Sequence, residues 1–447
     1  MQKLLNLFKS SYYKRSLAKY EFGKYAVTAL LIFIPLFQKF PAFRIMGTYV
    51  AIRLEDFLIL GTLLLFLVPL LKNIKLFLKE KTVRAILLFI TIGLISLVSG
   101  IYLTQTVSLK IGFLHWIRRI EYFSLFFVGL TYMKISSKKD FFGNDTFFSY
   151  VIKILLLVNL FVFLYGIGQH YLNFPVIITQ NEEYSKGVAL RWIPGAHINS
   201  TFAGHYDLAS YLVLTMPIFI SSFFILKDKL SKYILATSIV FGYWLFSVAV
   251  SRISIVAFLI STTISLFLLK KYKEILLVVS ISVIIFGLSA DLRTRYGRII
   301  EVVRQKISSA IVVYAQEGGN VNEDRSTSIR FNVEWPRAFR AFYKNPIVGT
   351  GYSSITLATD NDYLRALGET GLLGLISFIL IFIGLFAVFN KYKIDDNLDS
   401  VFVVSFIGST VGILITAVFI DIFEASKFAT MYWLFAGLVV GKKYEQI

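Results

Sequence analysis

Cysteine is absent from this sequence of 447 residues, and histidine is scarce. Without cysteine the chain cannot form disulfide bonds, use a thiol as a nucleophile or bind a metal through thiolates. The four histidines are scattered, with no pair at the spacing of an HExxH motif: His115, His170, His197 and His205. We therefore expect neither a metal centre nor a cofactor.

We expect no removable leader, and no internal repeat or low-complexity linker is visible in the sequence. Residues 1–24 are basic and weakly amphipathic, and no short apolar core is followed by a small-residue cleavage site. We expect the first membrane helix to be its own anchor and residues 1–447 to form a single polytopic membrane domain.

Hydrophobic residues, by contrast, make up 56% of the chain, and the mean hydropathy is +0.70. A soluble domain does not need so much apolar surface, which indicates a polytopic membrane protein. The formal net charge of +19 would suggest nucleic-acid binding in a soluble protein. In a membrane protein it fits cytoplasmic loops and an anionic substrate or lipid, so we expect a lipid bilayer and no nucleic acid as partner.

The apolar runs predict an all-α integral membrane fold with about twelve transmembrane helices, because each run is near the length that spans a bilayer of about 30 Å. A single helix over residues 233–269 would be about 55 Å long, too long for one crossing, so we expect a break at Ser251-Arg252. The predicted helices cover residues 24–38, 55–71, 83–101, 112–133, 148–171, 205–226, 233–250, 252–269, 274–290, 370–390, 400–420 and 428–441.

Basic residues predict how the chain is oriented in the membrane. Lysine and arginine concentrate in alternate loops and at both ends of the chain, which puts the N- and C-termini in the cytoplasm. The loop 291–369, between helices 9 and 10, then lies outside as a large extracytoplasmic helical cap. Apolar residues at helical spacing predict an amphipathic surface helix over 296–314 and a second helix over 328–343, before Asn345-Pro346.

The polar exception to this pattern is the segment from Arg325 to Leu375. It contains five arginines and the carboxylates Asp360 and Asp362, together with glycines that allow sharp turns. Charged groups beside glycine turns at a membrane surface indicate a site for a polar, anionic substrate that is attached to lipid.

Three stretches of the second half carry a resemblance to a known family. They are STFAGHYDLASYLVLTMP at 200–217, Ser251-Arg252, and SIRFNVEWPRAFRAFYKNPIVGTGYSS followed by DNDYLRALGETGLLGL. Together they resemble the O-antigen ligase/polymerase superfamily of bacterial envelope polysaccharide assembly. In the last stretch, the arginine, the tryptophan, the Pro-x-x-Gly-x-Gly element and the Asn-Asp-Tyr-Leu element come in the family's order and spacing.

The resemblance implies a metal-independent glycosyltransferase of the bacterial cytoplasmic membrane, with its active site on the outer face. It would transfer an undecaprenyl-diphosphate-linked oligosaccharide to an acceptor glycan, and a chain-length regulator would be a further partner. Diphosphate is a good leaving group, so such an enzyme needs positioning and charge stabilisation more than an acid. Guanidinium groups suit that task because they pair bidentately with phosphate and stay charged.

The resemblance also implies roles for particular residues. Arg252 corresponds to the Ser-Arg element, Arg330 to the arginine ahead of the tryptophan, and Asp360 to the position at which ligase members have a histidine. We expect Asp360, Arg252 and Arg330 to be catalytic, with Asp360 as the base that deprotonates the acceptor. The expected substrate-binding residues are Arg191, His205, Asp362 and Arg365.

Each of these residues also has an ordinary structural interpretation. Arg252 can reach the membrane interface from a helix end, Asp360 can cap the next helix, and Arg330 can pair with Glu334 on one helix face. His197 and His205 are more often loop or helix-end residues than bases. In the fourth helix, Arg118 and Glu121 lie one turn apart, and a structural ion pair and a functional site in the bundle interior are equally open there.

Polymerisation of lipid-linked repeat units is the first functional hypothesis, because an aspartate at the ligase histidine position weakens a ligase assignment. The near alternative is a ligase that transfers finished polysaccharide to a lipid A-core or another surface acceptor. A transporter or flippase for polysaccharide or lipid-linked sugars is a rival of another class, although its matched halves with broken helices are not visible here. A non-catalytic scaffold would not require the arginine cluster.

The orientation can be tested with epitope tags. A tag within residues 316–324 should be accessible from outside intact cells, and a tag within 391–397 should become accessible only after permeabilisation. The opposite pattern would overturn the predicted orientation.

Overall fold

The computed structural model describes residues 22–37, 41–48, 50–136, 146–175, 197–288, 329–355, 358–390 and 392–444. In this part of the chain the fold is a helical bundle. Its helices are α1 (Phe22–Leu36), α2 (Leu54–Phe77), α3 (Lys81–Tyr102), α4 (Leu109–Ile135), α5 (Phe147–Tyr171), α6 (His205–Ile225), α7 (Lys229–Ala249), α8 (Arg252–Leu268), α9 (Tyr272–Leu288), α10 (Trp335–Lys344), α11 (Asp362–Phe389), α12 (Leu398–Thr416) and α13 (Ser426–Gly441).

Seven of the described helices are long and apolar enough to cross a membrane: α2, α3, α5, α6, α7, α11 and α12. The apolar helices α1 and α8 are shorter. Helix α4 has 27 residues but carries Arg118, Arg119 and Glu121 in its middle. The prediction of a helical integral membrane protein is confirmed at this level. The count of twelve spans, their orientation and the extracytoplasmic cap stay predictions.

A short antiparallel hairpin between α1 and α2 was not predicted. Strand β1 (Pro41–Arg44) pairs with β2 (Ala51–Arg53), and Phe43 lies opposite Ile52. Gly47, with φ +73, lies in the connecting turn, where glycine adopts this conformation at no steric cost. Each paired segment holds only a few residues. It is therefore too short to show the alternating apolar pattern that predicts a strand.

The predicted break in the long apolar stretch is confirmed. Helix α7 ends at Ala249, Val250 adopts the left-handed conformation with φ 51, and α8 begins at Arg252. A β-branched residue in this conformation is rare, so surrounding packing must hold it there. Val250 is accordingly buried, with 2% of its surface exposed.

The polar segment contains the second helix that was predicted. A π-helical turn over Arg330–Glu334 runs into α10, which ends before Asn345-Pro346. The predicted surface helix over 296–314 lies outside the described residues.

Helix α11 begins earlier than predicted, at Asp362 instead of 370, because its first turns are polar but well capped. The side chain of Asn361 accepts a hydrogen bond from the backbone N–H of Leu364, at 2.9 Å. An apolar run marks only the part of a helix that lies in hydrocarbon, so it misses these turns.

A kink at Gly371 interrupts α11 where the chain enters its apolar part. Gly371 has φ 69 and ψ −171, a conformation essentially restricted to glycine. The break frees backbone groups, which bond instead to the loop that follows α10. Leu372 N donates to Pro346 O at 2.9 Å, and Gly351 N donates to Glu369 O at 2.9 Å. The glycine-containing loop is thereby attached to the kink.

Close helix packing is achieved through small residues. A Cβ at Gly437 of α13 would lie 2.0 Å from the carbonyl oxygen of Phe126 of α4, and a Cβ at Gly412 of α12 would lie 2.0 Å from the Ser261 hydroxyl of α8. In a membrane, where hydrocarbon already surrounds the helices, such close contact is a main source of association.

The kink provides a stability test. Gly371→Ala should destabilise the protein by about 1–3 kcal/mol of conformational strain, and the added Cβ would also lie 2.4 Å from Ile347 O. Thermal unfolding in detergent measures the change. Gly61→Ala in α2 is the control, because a Cβ there meets nothing within 4 Å. Equal melting temperatures for the two variants would contradict the assigned backbone conformation.

Candidate active site at the Arg330–Asp360 pair

The loop before α11 is fixed by one buried carboxylate, that of Asp421 in the turn after α12. Its Oδ2 accepts a hydrogen bond from Thr359 N at 2.7 Å, and its Oδ1 accepts one from Asn361 N at 2.9 Å. Asp360 lies between these two residues with φ 49. Aspartate is among the few residues that visit this left-handed region routinely. Asp421 therefore fixes the backbone on both sides of Asp360.

Asp362 and Arg365, two of the predicted substrate-binding residues, also tie this loop to the turn after α12. Arg365 Nη2 donates to Asp421 Oδ2 at 2.6 Å. Asp362 Oδ2 accepts hydrogen bonds from Ile422 N at 2.8 Å and Phe423 N at 3.2 Å. We call Asp362, Arg365 and Asp421 the loop clamp. These buried contacts favour a positioning role for Asp362 and Arg365, and substrate binding by them stays a prediction.

Within the loop clamp, Asp421 keeps its negative charge. Burial alone would raise the pKa of Asp421, but Arg365 and the two backbone N–H groups lower it below its usual value. The carboxylate is therefore ionised at neutral pH, and it accepts hydrogen bonds with full charge. Hydrogen bonds to an ionised group are about twice as strong as neutral ones.

Asp360 and Arg330, both predicted to be catalytic, form a direct ion pair. Arg330 Nη2 lies 2.8 Å and Nε 3.1 Å from the same oxygen, Asp360 Oδ2. The two side chains are 11% and 21% exposed, so the pair is accessible but largely desolvated. Burial raises the pKa of Asp360, and the opposing effect of Arg330 does not cancel this rise.

The start of α6 approaches this ion pair through Tyr206, which was not predicted. Burial would lower the pKa of Arg330, but Asp360 and a hydrogen bond with the Tyr206 side chain raise it. The ring of His205 lies 4.0 Å from that of Tyr206 and 5.0 Å from that of His197. The structure thus brings the stretch 200–217 next to the Arg330–Asp360 pair, although the two are far apart in sequence.

Glu334 is a second carboxyl group at the site, and its role was also missed. Arg330 pairs with Asp360 and not with Glu334, so the helix-face interpretation of Arg330 is wrong. Oxygen Oε2 of Glu334 is buried and accepts no hydrogen bond from the described residues. Burial, followed by the negative charges of Asp360 and Asp421, raises the pKa of Glu334 to about 8. Its spacing from Arg330 suggested a surface pair, so the sequence carried no signal of this environment.

The remaining predicted residues are not joined to the pair by direct contacts that we can describe. Arg252 is the first residue of α8 and is half-buried. Arg191 lies outside the described residues. The catalytic role of Arg252 stays a prediction.

A charged layer lies beside the loop clamp in the bundle. Arg119 of α4 donates to Phe423 O at 3.0 Å and pairs with Glu424. Arg118 pairs with Glu121 at 2.6 Å, as predicted, and with Asp56 of α2 at 2.8 Å. These pairs join α2, α4 and the turn before α13. They support the structural interpretation of this cluster.

The described residues offer no cluster of metal ligands. They contain no group of three or more histidine, aspartate or glutamate side chains that could hold a metal ion. The carboxylates of Asp360, Asp362 and Asp421 instead accept hydrogen bonds from arginine or backbone N–H groups.

Comparison with known proteins identifies the region that contains this site. Residues 235–379 match the family model described as O-antigen ligase. No match was found among curated proteins. The matched segment includes Arg252, Arg330 and Asp360, and the resemblance predicted from the motifs is confirmed there. Tyr206 and Asp421 lie beyond the matched segment at either end.

Glu334 predicts a pH dependence of stability. Its pKa in the folded protein is about 8, compared with an ordinary value of 4.5. Between these values the unfolded chain has released the proton while the folded protein keeps it, so this group's contribution to stability is lost as pH rises from about 4.5 to about 8. Glu334→Gln should remove that loss.

The measurement is the melting temperature in detergent between about pH 5 and about pH 9. The melting temperature of Glu334→Gln should increase relative to that of the wild type as pH rises. Asp396→Asn, at an exposed position, is the matched control and should follow the wild-type curve. Parallel curves for all three proteins would mean that Glu334 is ionised in the folded state.

Proposed function

We propose that this protein is a membrane glycosyltransferase that joins undecaprenyl-diphosphate-linked oligosaccharides into a longer polysaccharide. The observation that carries the proposal is the Arg330–Asp360 pair, which is partly exposed and lies in the segment matching the O-antigen ligase family. An arginine beside a carboxylate supplies the two functions that transfer from a lipid diphosphate requires, charge stabilisation and a base.

In the proposed reaction, a hydroxyl oxygen of the acceptor sugar attacks the anomeric carbon of the donor. The new carbon–oxygen bond forms as the bond between that carbon and the diphosphate oxygen breaks. The hydroxyl proton passes to Asp360, and undecaprenyl diphosphate leaves as the anion. Arg252 and Arg330, with Arg191, would bind that anion.

The proton acceptor is best assigned to Asp360 and not to Glu334. The Arg330 cation lies 2.8 Å from Asp360 and opposes the rise in the pKa of Asp360 that burial causes, whereas Glu334 has a pKa of about 8 and carries its proton at neutral pH. Both hydrogen bonds that Arg330 donates to Asp360 go to Oδ2. Oδ1 is therefore the oxygen that remains for the acceptor hydroxyl.

Arg330 can serve the donor and Asp360 at once. A guanidinium has five N–H donors, and Asp360 uses those on two nitrogens. The remaining donors could bind a phosphate oxygen while the pair stays partly intact. Tyr206 would help to orient the guanidinium through the hydrogen bond between the two side chains.

The polymerase form of the proposal rests on Asp360 standing where ligases have a histidine. A ligase that transfers finished polysaccharide to a lipid A-core or another surface acceptor is the alternative, with the same donor and a different acceptor. In either form the protein would lie in the bacterial cytoplasmic membrane with this site on the outer face, and a chain-length regulator would be a partner.

The rival of another class is a transporter or flippase, and the broken helix α11 is a feature that such proteins share. In transporters the backbone groups freed by a break bind the substrate or ion. Here the groups around Gly371 bond to the loop over residues 346–351, which leaves little backbone for a cargo. This observation favours the enzyme.

A reconstitution assay tests the proposal. Purified protein in liposomes receives undecaprenyl-diphosphate oligosaccharide without added metal, and the products are separated on a gel. A ladder of chain lengths is the expected result. Transfer that begins only when a lipid or core-sugar acceptor is added would establish the ligase alternative. If no product forms in either case and donor crosses the bilayer, the transporter interpretation would replace the enzyme.

The site residues are tested in the same assay. Asp360→Ala should lower the rate by about 10²–10⁴-fold through loss of the base, and Arg252→Ala by about 10²–10³-fold through loss of charge stabilisation. Both variants should remain in the membrane. Lys393→Ala, at a highly exposed position, is the control. Full activity of the Asp360 and Arg252 variants would refute the site assignment.

A further inference from the structure

A basic pocket separate from the Arg330–Asp360 pair lies between α10 and the segment that follows α3. Its lining residues are Thr106, Arg337, Arg340, Ala341, Lys344, Thr350, Ser354 and Ile355. Its volume is about 250 Å³, several times the roughly 30 Å³ that one water occupies in the liquid. None of these residues takes part in the Arg330–Asp360 pair or in the loop clamp.

Among the described residues, no negative charge compensates the cations of this pocket. Arg337 is half-buried, Arg340 and Lys344 are exposed, and no carboxylate lines the pocket. None of the three cations forms an ion pair or hydrogen bond with a described residue. Three adjacent cations repel one another, so an anion that enters the pocket relieves that repulsion as well as pairing with each cation.

The floor of the pocket is rigid and presents hydroxyl groups. Thr106 Oγ1 donates to Thr350 O at 2.6 Å, and Thr350 Oγ1 donates to Gly368 O at 3.0 Å and contacts Ser354 Oγ at 2.7 Å. These contacts tie the loop after α10 to α11 and to the segment after α3. A pocket with a fixed floor is pre-organised for its ligand, whereas a solvated row of arginines is not.

The position of the pocket relative to the membrane follows from its attachment to α3. Asn345 Nδ2, one residue after α10, donates to Ser99 Oγ near the end of α3 at 2.8 Å. Since α3 is long and apolar enough to span a membrane, its end marks the boundary of the hydrocarbon. The pocket therefore lies at the level of the lipid headgroups.

Exposed apolar side chains accompany the cations. Phe339 is 39% exposed, Tyr343 73% and Ile347 65%. Aromatic and aliphatic groups beside arginine and lysine are the composition of a helix that lies in the membrane interface. A free phosphate ion would gain nothing from contact with these apolar side chains, whereas a phospholipid would pack its acyl chains against them.

We propose that this pocket binds the phosphate of an anionic phospholipid headgroup. Arg337 and Arg340 would hold the phosphate oxygens with their planar donor forks, while Lys344 would add a point charge. The hydroxyls of Thr106 and Ser354 also line the pocket, where they can bond to the glycerol part of the headgroup. This proposal does not depend on the function proposed for the Arg330–Asp360 site.

The test is ligand-dependent thermal stabilisation of the purified full-length protein in a neutral detergent. The probes are dihexanoyl phosphatidylglycerol, dihexanoyl phosphatidylcholine and inorganic phosphate. For the wild type, phosphatidylglycerol should raise the melting temperature with saturation, and phosphatidylcholine should not. Arg337→Gln/Arg340→Gln should raise the half-saturating concentration of phosphatidylglycerol by at least about tenfold, since two of the cations are lost.

The matched control is Lys229→Gln/Lys393→Gln, which removes the same charge from exposed positions elsewhere and should respond like the wild type. If the double arginine variant folds poorly, Arg340→Gln alone is used, since this side chain is exposed and forms no ion pair or hydrogen bond with a described residue. Equal responses of the arginine variants and the wild type would overturn the proposal.

Inorganic phosphate distinguishes the two sources of the anion. Displacement of phosphatidylglycerol by a large excess of phosphate would support headgroup binding through its phosphate. If phosphate alone stabilises the wild type as strongly as phosphatidylglycerol at the same concentration, a lipid is not the ligand and the proposal fails.

Discussion

The geometry of the candidate site depends on one buried charge, the carboxylate of Asp421. It is fully buried, it pairs with Arg365 at 2.6 Å, and it holds the backbone on either side of Asp360. Removing one partner of such a buried pair typically costs about 3–5 kcal/mol, because the other charge is left without compensation. The left-handed backbone of Asp360 is therefore held in place by contacts that the flanking residues make.

The loop clamp also explains why the polar segment is ordered at the edge of an apolar bundle. The carboxylate of Asp362 accepts hydrogen bonds from the backbone N–H groups of Ile422 and Phe423, and Asp362 N donates to Ala417 O at 2.9 Å. The loop and the turn after α12 therefore provide hydrogen-bond partners for each other's backbone groups. The kink at Gly371 does the same for the loop after α10. Near hydrocarbon, where water is scarce, irregular backbone persists only when protein groups satisfy it in this way.

The sequence predicted most helices because membrane helices are read from apolar length alone, and it predicted the ion-pair residues because of a family resemblance. It could not predict that Arg330 would pair with Asp360, since helical spacing favoured Glu334. Asp421 and Tyr206 were missed because both act through contacts between residues distant in sequence. The start of α11 was missed because capping by Asn361 extends a helix beyond its apolar run.

On the proposed function, the ion pair would couple donor binding to activation of the base. Arg330 lowers the pKa of Asp360 against the effect of burial, so the resting carboxylate is a weaker base than its environment would otherwise make it. A donor diphosphate that engages Arg330 would bring negative charge next to the guanidinium and cancel part of this effect. The basicity of Asp360 would then rise only when the leaving group is in place.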